Sequence, residues 1–267
     1  MQEDRCINND YPLLQNRKEK ERKVELLNKV IIITGGANGI GRECAFRLKK
    51  EGAKVIVADI DQDNGSIVEK KLGKDGIFIK TDITNETDVI NLRDEVLRKY
   101  NKIDILINNA AKQTQNSFFD MKIDEFKDVI NVNLNGTFIC SNIIGRVMEK
   151  DGKIINMLSV HYNLPRKNKY HYDASKAAIA MLTKEMALDL VERGITVNAI
   201  SYGACNTPMN SDWINDKEKV EETKNKIPMK WIAEPEEIAN FVKTILSDFS
   251  DYTTGSIFNI DGGRSIK

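Results

Sequence analysis

The feature that constrains this chain most is a rhythm. Seven short aliphatic and β-branched runs, near 30–34, 54–59, 76–81, 103–108, 153–158, 195–201 and 256–260, alternate with longer amphipathic stretches. The runs are almost continuously apolar, the pattern of strands buried on both faces. Between them apolar residues recur at helical spacing: Ile40, Cys44 and Leu48; Val89, Leu92, Val96 and Tyr100; Ile238, Val242, Ile245 and Leu246 after Pro235. Strands separated by helices of this length imply right-handed crossovers, hence a parallel sheet covered on both sides. The expectation is an α/β fold: a single doubly wound domain over residues 28–267, with a seven-stranded parallel sheet and helices on both faces. Residues 1–27, including the mixed-charge stretch Arg17 to Lys23, read as a charged N-terminal extension.

Composition removes several alternatives. Forty basic residues balance forty acidic ones, so the chain lacks the basic excess of a nucleic-acid binder. No apolar run approaches membrane-spanning length, and the first residues, Met-Gln-Glu-Asp-Arg, carry no apolar leader core. Four scattered cysteines (Cys6, Cys44, Cys140, Cys205) and two histidines (His161, His171) suggest reduced thiols, a cytoplasmic location and no metal site.

The first run leads directly into Thr34-Gly-Gly-Ala-Asn-Gly-Ile-Gly41 and then a helical pattern. Glycine serves such a turn in two ways, by visiting positive φ and by letting backbone approach a ligand without a Cβ between. The helix that follows offers free N–H groups and the positive end of its dipole to a pyrophosphate. Asp59 closes the second run, about twenty residues beyond the turn, where a carboxylate can accept both adenosine ribose hydroxyls and repel a 2′-phosphate. Ala37 adds no positive charge and no arginine follows Asp59. NAD is therefore the expected cofactor in preference to NADP.

Tyr172 and Lys176 stand one helical turn apart, so both project from one face. An ammonium beside a phenol favours phenolate and suits general acid–base work. A lone Tyr-x-x-x-Lys arises by chance in a chain this rich in lysine; Ser159, at the end of the fifth run, adds weight. Ligands of open parallel sheets sit beyond the carboxyl ends of the strands.

The ordered set Thr34–Gly41, Thr81-Asp82-Ile83, Asn108-Asn-Ala110, Val132-Asn133-Leu134, Ser159, Tyr172-Asp-Ala-Ser-Lys176 and Asp261-Gly-Gly263 resembles the short-chain dehydrogenase/reductase family, with its Rossmann-type fold, over about residues 27–266. The resemblance implies a role for each matching position. Tyr172 is the catalytic acid/base, Lys176 holds the nicotinamide ribose and lowers the tyrosine pKa, Ser159 binds the substrate oxygen, and Asn133 anchors a water in a proton relay. Gly35, Asn38, Gly39, Ile40 and Gly41 form the cofactor turn. Asp82 and Ile83 meet the adenine, Asn109 and Ala110 lie beside the cofactor, and Thr207 meets the carboxamide. A small-molecule substrate and a homotetramer are also implied.

Three departures stand out: Ala111 replaces the usual glycine, Tyr202-Gly203 replaces the usual Pro-Gly and suggests a looser turn, and the N-terminus is extended. The stretches around Ser159–His161, His171-Tyr172, Gly203–Asn210, Ile227-Pro-Met229 and Glu234–Ile238 resemble the glucose 1-dehydrogenase branch, although Gln113 stands where that branch has a sugar-contacting glutamate. The expected function is NAD-dependent hydride transfer on a secondary alcohol or ketone, with a sugar or polyol as the nearest substrate class. Two alternatives are a reductase of a ketosteroid or 3-oxoacyl substrate, and a dinucleotide-binding sensor or scaffold without turnover. Residues 207–231, with Trp213, Ile214 and Trp231, read as a substrate lid. The sequence shows no basic patch near that lid to dock an acyl carrier, His161 is divided between a substrate-facing and a structural role, and His171 is expected to point away.

Overall fold

A computed structural model describes residues 26–246 and 251–267; most of the charged extension expected at 1–27 lies outside the described residues. The strands are β1 (Val30–Thr34), β2 (Lys54–Asp59), β3 (Gly76–Lys80), β4 (Ile105–Asn108), β5 (Lys153–Met157), β6 (Thr196–Tyr202) and β7 (Ile257–Ile260). They form one sheet in the order β3-β2-β1-β4-β5-β6-β7, every neighbouring pair parallel. The chain winds outward from β1 to β3, then returns to place β4 on the other side of β1. That reversal opens a crevice at the carboxyl ends of β1 and β4.

The uninterrupted apolar runs are explained by the layers. In β1, Ile31 and Ile33 join one core cluster while Val30 and Ile32 join the other. Helices α1 (Gly39–Lys50), α2 (Gln62–Leu72) and, later in the chain, Pro235–Leu246 cover the first face; α3 (Glu86–Tyr100) covers the second. Ile40, Cys44 and Leu48 bury the inner stripe of α1, and Val89, Leu92 and Val96 that of α3. Asn85 caps α3 by accepting from the Thr87 and Asp88 N–H groups, and Asn101 ends it in the left-handed conformation. Leu26 is buried in the first cluster, so the packed body begins at least that early.

The second face continues through α4 (Ile123–Ile130), a π-turn (Asn131–Asn135) and α5 (Gly136–Gly145), then the long α6 (Tyr170–Leu190). Short helices α7 (Ser211–Ile214) and α8 (Lys217–Lys226) form the segment expected as a lid, and α9 is Pro235–Leu246. Cys44, Cys140 and Cys205 are buried with their thiols pushed up to about 12, chiefly by desolvation. No helix among the described residues is long and apolar enough to cross a membrane.

A buried polar chain ties α6 to the sheet. Asn108 Nδ2 donates to Ser141 Oγ and to Asn156 Oδ1, each at 2.9 Å, and Asn156 Nδ2 donates to Thr183 Oγ1 at 2.9 Å. Removing one member leaves its buried partners without hydrogen bonds, which costs about 1–3 kcal/mol. Asn156→Ala is expected to lower unfolding free energy by about that amount. The check is a fall in the denaturation midpoint with an unchanged slope.

Candidate active site

The glycine turn lies at the crevice between β1 and β4. Gly35 has φ +63°, and a Cβ there would meet Ala110 Cα at 2.7 Å; one on Gly41 would meet the Gly35 carbonyl oxygen at 2.2 Å. Asn109 clamps the turn by donating from Nδ2 to the Thr34 and Gly35 carbonyls at 3.0 and 2.9 Å. Thr34 Oγ1 in turn accepts the N–H groups of Asn109 and Ala110. The first turn of α1 contains no acidic residue to compete for its N–H groups. These features fit a dinucleotide pyrophosphate: a cradle that a side chain would fill, and a free helix N-terminus.

A cleft of about 510 Å³ extends from this turn, lined by Gly35, Asn38, Gly39, Ile40, Asp59, Asp82, Ile83, Asn109, Ala110 and Thr207. Asp59 is fixed by two backbone donors: Ala37 N–H at 3.0 Å to one oxygen and Asp61 N–H at 3.0 Å to the other. Asn38 Nδ2 reaches Asp61, the cap of α2, at 2.9 Å. Asp82 accepts from the Thr84 backbone and hydroxyl, while Ile83 is buried against Gly136. Two carboxylates, Asp59 and Asp61, thus stand at the end of β2, with Lys80 opposite Asp59 on β3. Ala111, one of the departures from the family pattern, also lines the cleft.

A second cavity of about 560 Å³ adjoins the first, and Tyr202, Thr207 and Met209 line both. Ser159 and Tyr172 line it just beyond the end of β5. Ser159 Oγ accepts the His161 N–H at 3.3 Å and stands close enough to the Tyr172 phenol to lower its pKa. Two cations stand at the Tyr172 ring, Lys176 Nζ and Arg166 Cζ, each 5.7 Å from its centroid. Burial pushes the Tyr172 pKa up; the Arg166 charge and hydrogen bonds from Ser159 and Tyr202 oppose that rise. Lys176 is 2% exposed, donates to the Met157 carbonyl at 2.7 Å, and is pushed down to about 8 by burial.

Asn133 lies in the π-turn, a distortion that commonly marks functional sites. Its Oδ1 accepts Lys112 N–H at 2.7 Å, and its Nδ2 donates to the Lys112 carbonyl and to Ser175 Oγ at 3.0 and 2.9 Å. The side chain therefore staples α6, between Tyr172 and Lys176, to the loop after β4. Its own carbonyl accepts Thr137 Oγ1 at 2.7 Å.

Of the two histidines, His171 is fully buried: its ring accepts the Tyr172 N–H and its Nε2 pairs with Thr114, beside Glu125. His161 lines the second cavity. Its Nδ1 lies 2.7 Å from the Leu164 carbonyl, which can only accept, so Nδ1 carries the proton and Nε2 is left as an acceptor. Gln113 donates to the Met209 carbonyl and Asn210 Oδ1, which spends its amide on the lid. Trp213 faces the same cavity, whereas Trp231 lines a separate small recess.

Two residues at the site escape a motif-based reading. Tyr202, in the position that suggested a looser turn, is instead held in the β6–β7 ladder opposite Ile260. Burial drives its phenol well above the usual range, so it stays protonated, and its hydroxyl acts on Tyr172 to lower that residue's pKa. Arg166 precedes α6 in an irregular loop, where spacing carries no signal. The absence of a basic patch also needs correcting. Arg166, Lys167, Lys169, Lys219, Lys226 and Arg264 converge on the second cavity from three separate segments, so no run of them is visible in the sequence.

Comparison with known proteins agrees with this architecture. A family model described as enoyl-(acyl carrier protein) reductase matches residues 35–265. Glucose 1-dehydrogenase of Gluconobacter oxydans is 34% identical over 251 residues, 91% of this chain and 94% of that protein. The 3beta-hydroxysteroid dehydrogenase 1 of Eggerthella lenta is 33% identical over 249 residues, 91% of this chain and 95% of that one. A solved 3-ketoacyl-(acyl-carrier-protein) reductase from Brucella melitensis, complexed with NADH, superimposes with a TM-score of 0.84 at 28% identity, over 90% of this chain and 99% of the other. The doubly wound sheet, the glycine turn and these matches together make the chain a member of the short-chain dehydrogenase/reductase family, oxidoreductases that act on CH–OH groups.

Proposed function

We propose that this protein transfers a hydride between NAD and the secondary alcohol or ketone of a small polar molecule of sugar or polyol type. The observation that carries the reading is the placement of Ser159 and Tyr172 together on the second cavity, with two cations at the phenol ring. The turn 35–41 and the N-terminus of α1 would hold the pyrophosphate. Asp59 would hold the adenosine ribose, Asp82 and Ile83 the adenine, and Asn109, Ala110, Lys176 and Thr207 the nicotinamide end. Bound NAD supplies the hydride acceptor or donor.

The chain's own residues handle the proton. In the oxidising direction Tyr172, as phenolate, takes the substrate hydroxyl proton while Ser159 steadies the oxygen. The Tyr202 hydroxyl, donating to the Tyr172 oxygen, favours the phenolate, as do Lys176 and Arg166. Asn133 holds the relevant turn of α6, and its carbonyl is the atom at which a relay water would attach. The polar lining of the second cavity and the free Nε2 of His161 suit a hydroxylated substrate better than an apolar steroid. Exposed Phe138, Met181 and Leu188 on α5 and α6 support assembly as a homotetramer.

Four outcomes test this reading. Tyr172→Phe should lower kcat by roughly 10²–10⁴-fold with little change in NAD affinity; near-parental turnover would remove the phenol from the mechanism. Tyr202→Phe should retain the fold and move the limb of the kcat/KM profile that reports Tyr172 upward by about one pH unit, since a hydrogen bond to the charged form is lost. Asp59→Ala should narrow the NAD-over-NADP preference in kcat/KM by roughly tenfold, the loss of about 1.4 kcal/mol of discrimination.

Lys176→Met should abolish turnover yet melt no lower than the parent at pH 7. The folded-state pKa of this lysine lies below its unfolded value, so folding opposes its protonation. That penalty is complete below about pH 8 and fades as pH rises toward 10.5. The Tm advantage of the methionine variant should shrink across that window.

A further inference from the structure

The cation cluster around the second cavity is larger than the reaction requires. Six basic side chains line the cavity against one carboxylate, Glu222, and that carboxylate is already ion-paired with Lys226. Lys219 pairs with Asp216, and Arg166 lies 3.8 Å from Asp173. Lys167, Lys169 and Arg264 have no ion pair among the described residues.

Lys169 is the most informative of these. It is 5% exposed, lines the cavity, and has neither a side-chain hydrogen bond nor an ion pair among the described residues. It also occupies the N-cap position of α6, at the positive end of a 21-residue helix, without a side-chain capping bond. Its Nζ is not among the buried unpartnered atoms, so the charge opens onto the cavity, and an unpaired cation at that end of a helix is unfavourable. Its electrostatic neighbours are Arg166, which opposes its charge, and Asp212 and Asp173, which favour it more weakly. Arg166 carries a buried, unpartnered Nε besides its contacts with Asp173, Gln113 and the Tyr172 ring. Arg264 comes from the segment after β7, and its charge reaches His161 together with those of Arg166 and Lys169. An anion seated among the three would convert a cost in the free protein into binding free energy.

We infer that the second cavity takes a substrate bearing a carboxylate or phosphate, held by Lys169, Arg166 and Arg264 while its hydroxyl or carbonyl carbon lies against Ser159 and Tyr172. This inference rests on the reaction proposed above and narrows its substrate class. Burial and the same three cations push His161 down to about 4, so it stays neutral and adds a hydroxyl acceptor without competing for the anion. Gln113, uncharged and 3.5 Å from Arg166 through its Oε1, puts no repelling carboxylate on this wall.

Two measurements on the full-length protein decide the matter, the first with NADH bound and the second with NAD supplied for the hydroxylated substrates and NADH for the 3-oxoacyl one. The first is calorimetric titration with inorganic phosphate and, separately, malonate, the two arms distinguishing phosphorylated from carboxylated ligands. Saturable binding of at least one is expected, with Kd raised at least tenfold in both Lys169→Gln and Arg264→Gln. Arg264 lies in a half-buried terminal turn, so its variant keeps the test valid where Lys169→Gln folds poorly. No binding of either anion, or a Kd unmoved by both substitutions, overturns the inference.

The second is turnover of matched pairs: gluconate and glucose 6-phosphate against glucose, and 3-hydroxybutyrate against its methyl ester. A charged member should exceed its neutral partner at least tenfold in kcat/KM, and the gap should close in the two variants. A neutral member preferred in every pair overturns the inference while leaving the proposed reaction intact. Conversely, a Tyr172→Phe variant that binds the anion and turns over the charged substrate as the parent does would overturn the reaction and leave the anion site standing. Turnover of a 3-oxoacyl group on acyl carrier protein a hundredfold above every small anion would reassign the cluster to protein docking and overturn the small-anion reading.

Discussion

Everything functional in this molecule depends on how closely two backbones meet at the ends of β1 and β4. Gly35 and Gly41 leave no room for a Cβ against Ala110, Asn109 and one another. The Asn109 amide then locks the gap by bonding two successive carbonyls of the turn. Because β2 and β3 lie to one side of β1 and β4 to β7 to the other, this is where no crossover covers the strand ends. The same contact fixes the start of α1, the position of Asp59 through the Ala37 N–H, and the loop that Asn133 holds against α6. The cleft is therefore a consequence of sheet order and small residues.

The reactive end of the site is built on unfavourable burial. Lys176 is a cation in the core with one carbonyl partner, and Tyr172 is a phenol whose ionisation burial opposes. Well-packed apolar residues would serve stability better at both positions. The polar chain from Ser141 through Asn108 and Asn156 to Thr183 holds α6 in place against this cost. Lys169 repeats the pattern at the opening of the same helix. Each costs stability in a place where charge can act on a bound molecule.

The fold was legible because its signals are local and repeated. Aliphatic runs of strand length, helical stripes such as Ile40-Cys44-Leu48 and a glycine turn between them each report on their own segment, and the sheet follows from their order. Edges shifted by a residue or two; β4 begins at Ile105 instead of 103, since Asp104 turns its carboxylate to cap the Val30 N–H. Ser159 and Tyr172 line the second cavity as strand end and helix start suggest, and helical spacing brings Lys176 to the Tyr172 ring. Arg166, Lys169, Lys219 and Arg264 were not legible, since segments distant in sequence meet only through the third dimension. Tyr202 was misread for a different reason: its identity suggested looseness, whereas its strand register decides its place. The π-turn at Asn133 also has no sequence periodicity to reveal it.

One arrangement has a wider consequence. Tyr202, Thr207 and Met209 form a partition between the two compartments, and two of the three belong to the segment that leads into α7 and α8. A guest in either chamber presses on the same wall. Where a guest in one chamber displaces one of these side chains, it reshapes the other chamber as well. Any differential contact made with these three side chains would link the two chambers energetically, and by the same amount whichever is filled first.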